Sequence, residues 1–190
     1  TSSKVAHNIA AGSVQRETRQ VELGDASRVE ASIKFAGGEL KVKGDSDSLM
    51  TAKFVYNLDE LEPIVVYDVQ DKLGRLTIQH KSDTIRLERL LTEARNEWEI
   101  ELGDQVPLAL DLDLGASEGK IELGGLQIDR LNISAGAADM SVSFDEPNPE
   151  RLTSMYVRSG AARLEFRELG NANLDELTFD GGLGTYTFDF

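Results

Sequence analysis

Two histidines, His7 and His80, are the only imidazoles in the 190-residue chain. His80 has Ser82 and Asp83 close by in sequence, the residue types of a base, a nucleophile and an orienting acid. A triad needs those groups assembled in space beside an oxyanion hole, and no Gly-x-Ser-x-Gly elbow is present, so catalysis at His80 is disfavoured. His7 falls in a polar lead-in. Carboxylates come in pairs, as at Asp45 and Asp47, Asp111 and Asp113, and Asp145 and Glu146. Hard cations take such oxygens, but calcium loops need Asp, Asn and Gly at set spacing with a closing Glu. That spacing is missing, and the acids read as a solvated face. The Gly-rich segment SAGAAD (134–139) leads into a strand pattern rather than a helix, and no Lys-Ser/Thr follows, so it lacks the form of a phosphate cradle. The chain has no cysteine, which excludes disulfides, thiolate catalysis and Cys-ligated zinc. On this reading no residue is catalytic, binds a cofactor or ligates a metal.

The charge balance narrows the partners. Lys and Arg number 20 against 34 Asp and Glu, a net charge of −14. Phosphate tracking needs clustered cations, so nucleic acid is disfavoured, and so is direct docking on anionic lipid. With 40% hydrophobic residues the chain can bury a core in one domain, or in two small halves sharing one core. No apolar run approaches the ~20 residues of a membrane span. The sequence opens Thr1-Ser2-Ser3-Lys4 without Met, from which an upstream export signal, an anchor or a cloning boundary is expected.

What must position any site is a repeat. Four segments share a twelve-residue template: Leu112–Leu123, Leu131–Val142, Met155–Phe166 and Leu177–Phe188. A fifth is Tyr67–Ile78, and Ile33–Val42 is a sixth copy, two residues shorter. The starts at 112, 131, 155 and 177 are 19, 24 and 22 residues apart, a solenoid-like period. Positions one, three, ten and twelve are apolar. Alternation of period two on both sides of a small-residue turn means two half-buried strands per copy. Position eight reads Gly38, Gly74, Gly119, Ala138, Ala162 and Gly184, and is expected to form one inward column at a cramped corner. The outward ladders are mixed. Position two reads Asp68, Asp113, Asn132, Tyr156 and Thr178; position nine reads Arg75, Lys120, Asp139, Arg163 and Thr185; position eleven reads Thr77, Glu122, Ser141, Glu165 and Thr187. Neither an aromatic platform nor a uniform charge stripe emerges.

The expected fold is all-β: a single-stranded β-solenoid of stacked 19–24-residue coils, each bent at its corner. Two alternatives stay open. A meander of antiparallel hairpins would join the same strands, although six residues between Ile133 and Met140 are long for a hairpin turn. The LxxLxL pattern of Leu174, Leu177 and Phe179 imitates a leucine-rich repeat, but Gly and Ala stand where Asn or Cys should follow. Ser82–Trp98 interrupts the pattern as a short inserted helix or a charged loop, and Asp145–Glu150 lengthens one coil. Residues 1–13 are expected to be a flexible segment and 14–190 one solenoid.

The stretches Trp98-x-Ile100-x-Leu102, Pro107-x-x-Leu110, Gly115-Ala116-Ser117-Glu118, Ile121-Glu122-Leu123 and Leu131-x-Ile133-Ser134-Ala135-Gly136-Ala137 resemble the C-terminal domain of LiaF-like bacterial cell-envelope stress proteins. Ser117 departs from the second Gly of that family's first turn. The part around Ile33–Val42 resembles the N-terminal portion of toast-rack proteins, so 14–110 is similar to one family part and 111–190 to the other. The resemblance implies a non-enzymatic module, kin to adhesin-like solenoids and to membrane proteins that restrain a sensor kinase. It implies an extracytoplasmic or membrane-associated place at the bacterial envelope and a protein partner there. A carbohydrate-binding or carbohydrate-active solenoid using surface carboxylates is the other reading. The chain closes in a strand, Tyr186-Thr187-Phe188-Asp189-Phe190. Its open edge is expected to pair with another chain, to be covered by the inserted segment, or to continue in a longer protein.

Overall fold

The computed structural model describes residues 12–82, 85 and 94–190. Among them the chain is all-β, with two short 3-10 turns at Asp59–Leu61 and Leu169–Ala172. Eleven strands form one mixed sheet: β1 (Gln15–Val21), β2 (Arg28–Lys43), β3 (Met50–Tyr56), β4 (Pro63–Gln70), β5 (Leu73–His80), β6 (Asn96–Leu102), β7 (Leu108–Glu122), β8 (Ile128–Ala135), β9 (Asp139–Ser143), β10 (Ser154–Arg167) and β11 (Leu177–Phe188).

Its centre is a parallel stack in which β2 lies on β7, β7 on β8 and β9, these on β10, and β10 on β11. These strands cannot be straight. β7 has 15 residues, about 50 Å if extended, yet the five residues of 123–127 return the chain to the start of β8 and span at most about 20 Å. Each long strand therefore folds back on itself, and the bend lies at the small residues. Of the expected copies, β8 and β9 alone split into two strands there; β2, β7, β10 and β11 run through the corner.

The register fixes columns of inward side chains. One runs Leu76, Ala31, Leu110, Leu131, Met155, Leu177, and the next Ile78, Ile33, Leu112, Ile133, Val157, Phe179. Past the corner stand Trp98, Leu40, Gly119, Met140, Leu164, Tyr186 and then Ile100, Val42, Ile121, Val142, Phe166, Phe188. These residues are buried through most of the stack, Leu40, Val42, Leu110 and Leu131 at 0% exposure. Each copy alone would leave its apolar face wet, so stability comes from stacking neighbours.

Three expectations are corrected by this register. The third copy starts at Leu110, two residues earlier than the sequence suggested, since Leu110 and not Leu112 lies beside Leu131. The first copy is not short: Ala31–Val42 spans twelve residues in register with Leu110–Ile121. Tyr67–Ile78 is not a bent coil but an antiparallel hairpin of β4 and β5, with Tyr67 opposite Leu76. Its turn, Asp71-Lys72, has φ of 51° and 61°, as a two-residue type I′ turn requires. Trp98, Ile100 and Leu102 alternate in strand β6, as their spacing suggests; the inserted segment itself, 83–84 and 86–93, lies outside the described residues, as do 1–11.

Above β2 one further level is split in two. β5 continues the first arm and β6 the second, both parallel to β2, and the insertion joins them. β3 and β1 then extend β6 antiparallel, so the mixed sheet has antiparallel strands at its N-terminal end and parallel ones elsewhere. At the returns, Asn148 is 4% exposed. Its side chain accepts from the Ile128 amide (3.0 Å) and donates to the Ile128 (2.7 Å) and Ala172 (3.0 Å) carbonyls. One buried amide thus clamps three successive levels.

Candidate functional site

The corner builds a groove of about 960 Å³ running from Ala94 and Arg95 to the last strand. Its floor follows from the register. Asn96 of β6, Gly38 of β2, Ser117 of β7, Ala138 just before β9, Ala162 of β10 and Gly184 of β11 line it in succession. The expected column of Gly and Ala therefore holds at Gly38, Ala138, Ala162 and Gly184. It fails at Gly119, whose place Ser117 takes, and at Gly74, which lies beside Val29 in the first arm. At the two glycines of the floor the neighbouring backbone excludes any side chain: a Cβ on Gly38 would strike the Asn96 carbonyl, and one on Gly184 that of Ala162.

One residue further along each strand is a row that points outward beside the groove. With the corrected register it reads Glu97, Glu39, Glu118, Asp139, Arg163 and Thr185. Four carboxylates thus stand on adjacent strands about 4.8 Å apart, where like charges directly opposite are unfavourable. Neighbouring cations offset part of this: Arg95 reaches Glu97 at 2.7 Å, Lys41 reaches Glu39 at 2.8 Å and Arg163 reaches Asp139 at 3.4 Å. The sequence ladder missed the stripe because Lys120 had been placed where Glu118 belongs.

The outward row before the corner reads Ser32, Asp111, Asn132, Tyr156 and Thr178, with Asp111 in place of the expected Asp113. Asn132 Nδ2 donates to Asp111 Oδ1, and the Arg158 guanidinium lies 5.7 Å from the centre of the Tyr156 ring. With Ser134 these residues line a cavity of about 280 Å³.

His80 sits in an aromatic cluster, with Leu61 and Asn96 at its ring nitrogens. It is 5% exposed and packs 4.5 Å from the Trp98 ring and 5.7 Å from Phe35. Its Nδ1 lies 3.2 Å from the Leu61 carbonyl, an acceptor, so Nδ1 carries the proton; Nε2 faces Asn96 Nδ2 at 3.5 Å. Asn96 Nδ2 also donates to the Gly37 carbonyl at 2.6 Å. Ser82 lines a small cavity with His80, whereas Asp83 and His7 lie outside the described residues. Burial pushes the imidazole down to about 4, against a smaller upward pull from the Leu61 carbonyl. A histidine with a lowered folded pKa takes up its proton first in the unfolded chain. Stability is therefore whole above pH ~6.5 and falls as the pH drops toward 4, by about 3 kcal/mol in all. Urea unfolding at pH 7 and pH 4 is expected to show that loss in the wild type, and His80→Gln is expected to lose less by that amount.

The carboxylate pairs part company. Asp45, Asp145 and Glu146 come together with Asp104 and Glu122 around a cavity of about 360 Å³. Asp111 faces Asn132 and, at 3.6 Å, Arg130. Among the described residues no group of three or more such side chains is arranged to hold a metal. The segment 134–139 is the β8–β9 corner, its amides spent on the stack: Gly136 donates to Leu114 and Ala137 to Gly115.

One solved structure shares this architecture. A putative cell adhesion protein from Clostridium sporogenes has the same fold, with a TM-score of 0.79 at 22% identity over 93% of this chain and 99% of that one. Putative adhesins from Parabacteroides merdae and Bacteroides fragilis align over 95% and 93% of this chain at 11% identity each, with TM-scores of 0.29 and 0.25. Among curated proteins none matches the sequence. No helix among the described residues is long and apolar enough to cross a membrane. Residues 10–167 match the family described as the N-terminal domain of toast_rack, DUF2154, and the chain belongs to that toast-rack family.

Proposed function

We propose that this chain is a noncatalytic interaction module of the bacterial cell envelope, its parallel stack a single-stranded β-solenoid whose corner groove receives an extended, basic protein segment. The observation that carries this reading is the acidic row Glu97, Glu39, Glu118 and Asp139 beside a floor of mostly small residues. A stacked β corner repeats its chemistry at each strand, which suits a ligand that is itself extended and repetitive. Lys or Arg on such a segment would relieve the like-charge cost that the fold carries there, and the net charge of −14 would draw it in. The adhesin-like relative of the same fold supports an envelope setting.

Titration of the isotope-labelled chain with a Lys-Gly repeat peptide tests this. Amide shifts are expected at the corner residues, and Glu118→Lys with Asp139→Lys is expected to weaken binding about tenfold. A peptide that shifts no corner amide overturns the reading. The cavity of Asp111, Asn132, Tyr156 and Arg158 favours a second one, since an aromatic face beside amide and carboxylate groups is sugar-binding chemistry. Saturable glycan binding or glycan cleavage lost on Asp111→Asn would replace the first.

A further inference from the structure

Among the described residues β11 is paired on one side only, by β10, and stands at the end of the sheet. Its twelve residues leave a row of backbone donors and acceptors open on the other edge. Phe179 (36% exposed), Leu183 (84%) and, just beyond the strand, Phe190 (75%) are exposed there. The opposite end of the sheet is treated differently. β1 reads Gln-Arg-Glu-Thr-Arg-Gln-Val, the charged edge that soluble sheets use to refuse partners. β11 carries a single charge, Asp180.

We infer that β11 is an association surface for a second copy of this chain, the two β11 strands pairing antiparallel about a two-fold axis through the corner. The strand is self-complementary when read against its own reverse. Leu177 falls opposite Phe188, Thr178 opposite Thr187, Phe179 opposite Tyr186, Asp180 opposite Thr185, Gly181 opposite Gly184, and Gly182 opposite Leu183. Residues directly opposite in an antiparallel pair share a face of the sheet. In this strand the corner changes the parity, so Leu177 and Phe179 before it and Tyr186 and Phe188 after it all point inward, as their columns show. The register above therefore joins inward to inward and outward to outward along the whole strand.

The bend fits the same operation. Rotation about an axis through the corner exchanges the two arms of a folded-back strand and reverses the stack, so the inner columns of one copy run on into the other. The Phe166–Phe188 stack (4.9 Å between centroids) and the Phe179 edge contacts to Tyr186 and Phe188 would then be covered rather than left at an open end. Asp180 meets Thr185 and not its own copy, and it lies beside Arg158 of β10. Such an interface is closed, giving dimers and not filaments. Two copies of charge −14 repel at a distance, so the dimer strengthens as salt rises.

Because the chain has no cysteine, a pair of single-cysteine variants reads the register directly. Thr178→Cys and Thr187→Cys, both at exposed positions, are oxidised separately and as a mixture. A disulfide-linked dimer is expected in the mixture alone, linking one variant to the other. Sedimentation is expected to show a salt-strengthened dimer for the wild type, and a monomer with unchanged circular dichroism for Phe179→Asp. Three results would overturn the inference: a monomer throughout a dilution series with no cross-link, Thr178→Cys linking to itself, or growth beyond the dimer. None of them bears on the corner groove.

Discussion

Trp98→Ala is expected to lower the unfolding free energy by about 4 kcal/mol, among the largest losses available at a single position. Trp98 is 1% exposed and packs against β5 as well as against β2 and β3, the two strands its own strand pairs with. Its ring stands edge-on to Phe35 of β2 at 5.0 Å and to Phe54 of β3 at 5.3 Å, and lies 4.5 Å from His80 of β5. The two arms of the level above β2 each pair with β2 but not with one another, so the His80–Trp98 contact joins them directly. Truncation leaves a cavity bounded by separate strands that cannot collapse into it without breaking register. Trp98→Phe keeps the aromatic contacts and removes an indole N–H that has no partner among the described residues, so its cost is expected to be well under half as large. Urea denaturation of the three proteins checks this; equal losses for Ala and Phe would refute the packing account.

Gly119→Ala is expected to cost about 3 kcal/mol, combining backbone strain with overpacking. Gly119 has φ of 149°, and an added Cβ would be driven into the Leu40 carbonyl of the strand beside it. The obstacle is backbone within the sheet, which cannot swing away as a side chain can. Ser117→Ala, two residues earlier on the same corner, makes the control. Its hydroxyl is buried without a partner among the described residues, so removing it is expected to be neutral or slightly stabilising. Should the two variants melt together, the corner is more pliant than a stacked sheet allows.

The repeat was readable in the chain, but its register was not, and the third copy shows why. Leu108, Leu110, Leu112 and Leu114 alternate without a break, and a period-two pattern is unchanged by a slip of two. The choice between Leu110 and Leu112 as the start is made by the neighbour, where Leu112 packs beside Ile133 and Ile33. The first copy lost its opening residue for a related reason. Ala31 is too small to stand out as apolar, yet it fills the column between Leu76 and Leu110. Tyr67–Ile78 matched the template because a hairpin arm and a coil arm alternate in the same way; the Asp71-Lys72 turn separates them only through its positive φ.

The candidate site was less legible than the fold. Every residue of the acidic row is visible in the sequence, but a slip of two exchanges Glu118 for Lys120 and dissolves the stripe into mixed charge. Nor could the buried roles of Asn96 and Asn148 be foreseen. Both are polar residues beside loops, and only their partners, 59 residues away for the Gly37 carbonyl and 24 for that of Ala172, show that they hold separate levels together.

Taken alone, the amino-acid order settled the strand content, the near-twelve-residue unit, the small residues at the bend and the acidic net charge. Each is a property of neighbours in the chain: period, volume and charge. Which copy lies on which, and hence which charges form a row and which strand ends the sheet, was decided by tertiary packing. Stacking energy compares whole columns at once, and it separates alignments that local alternation leaves equal.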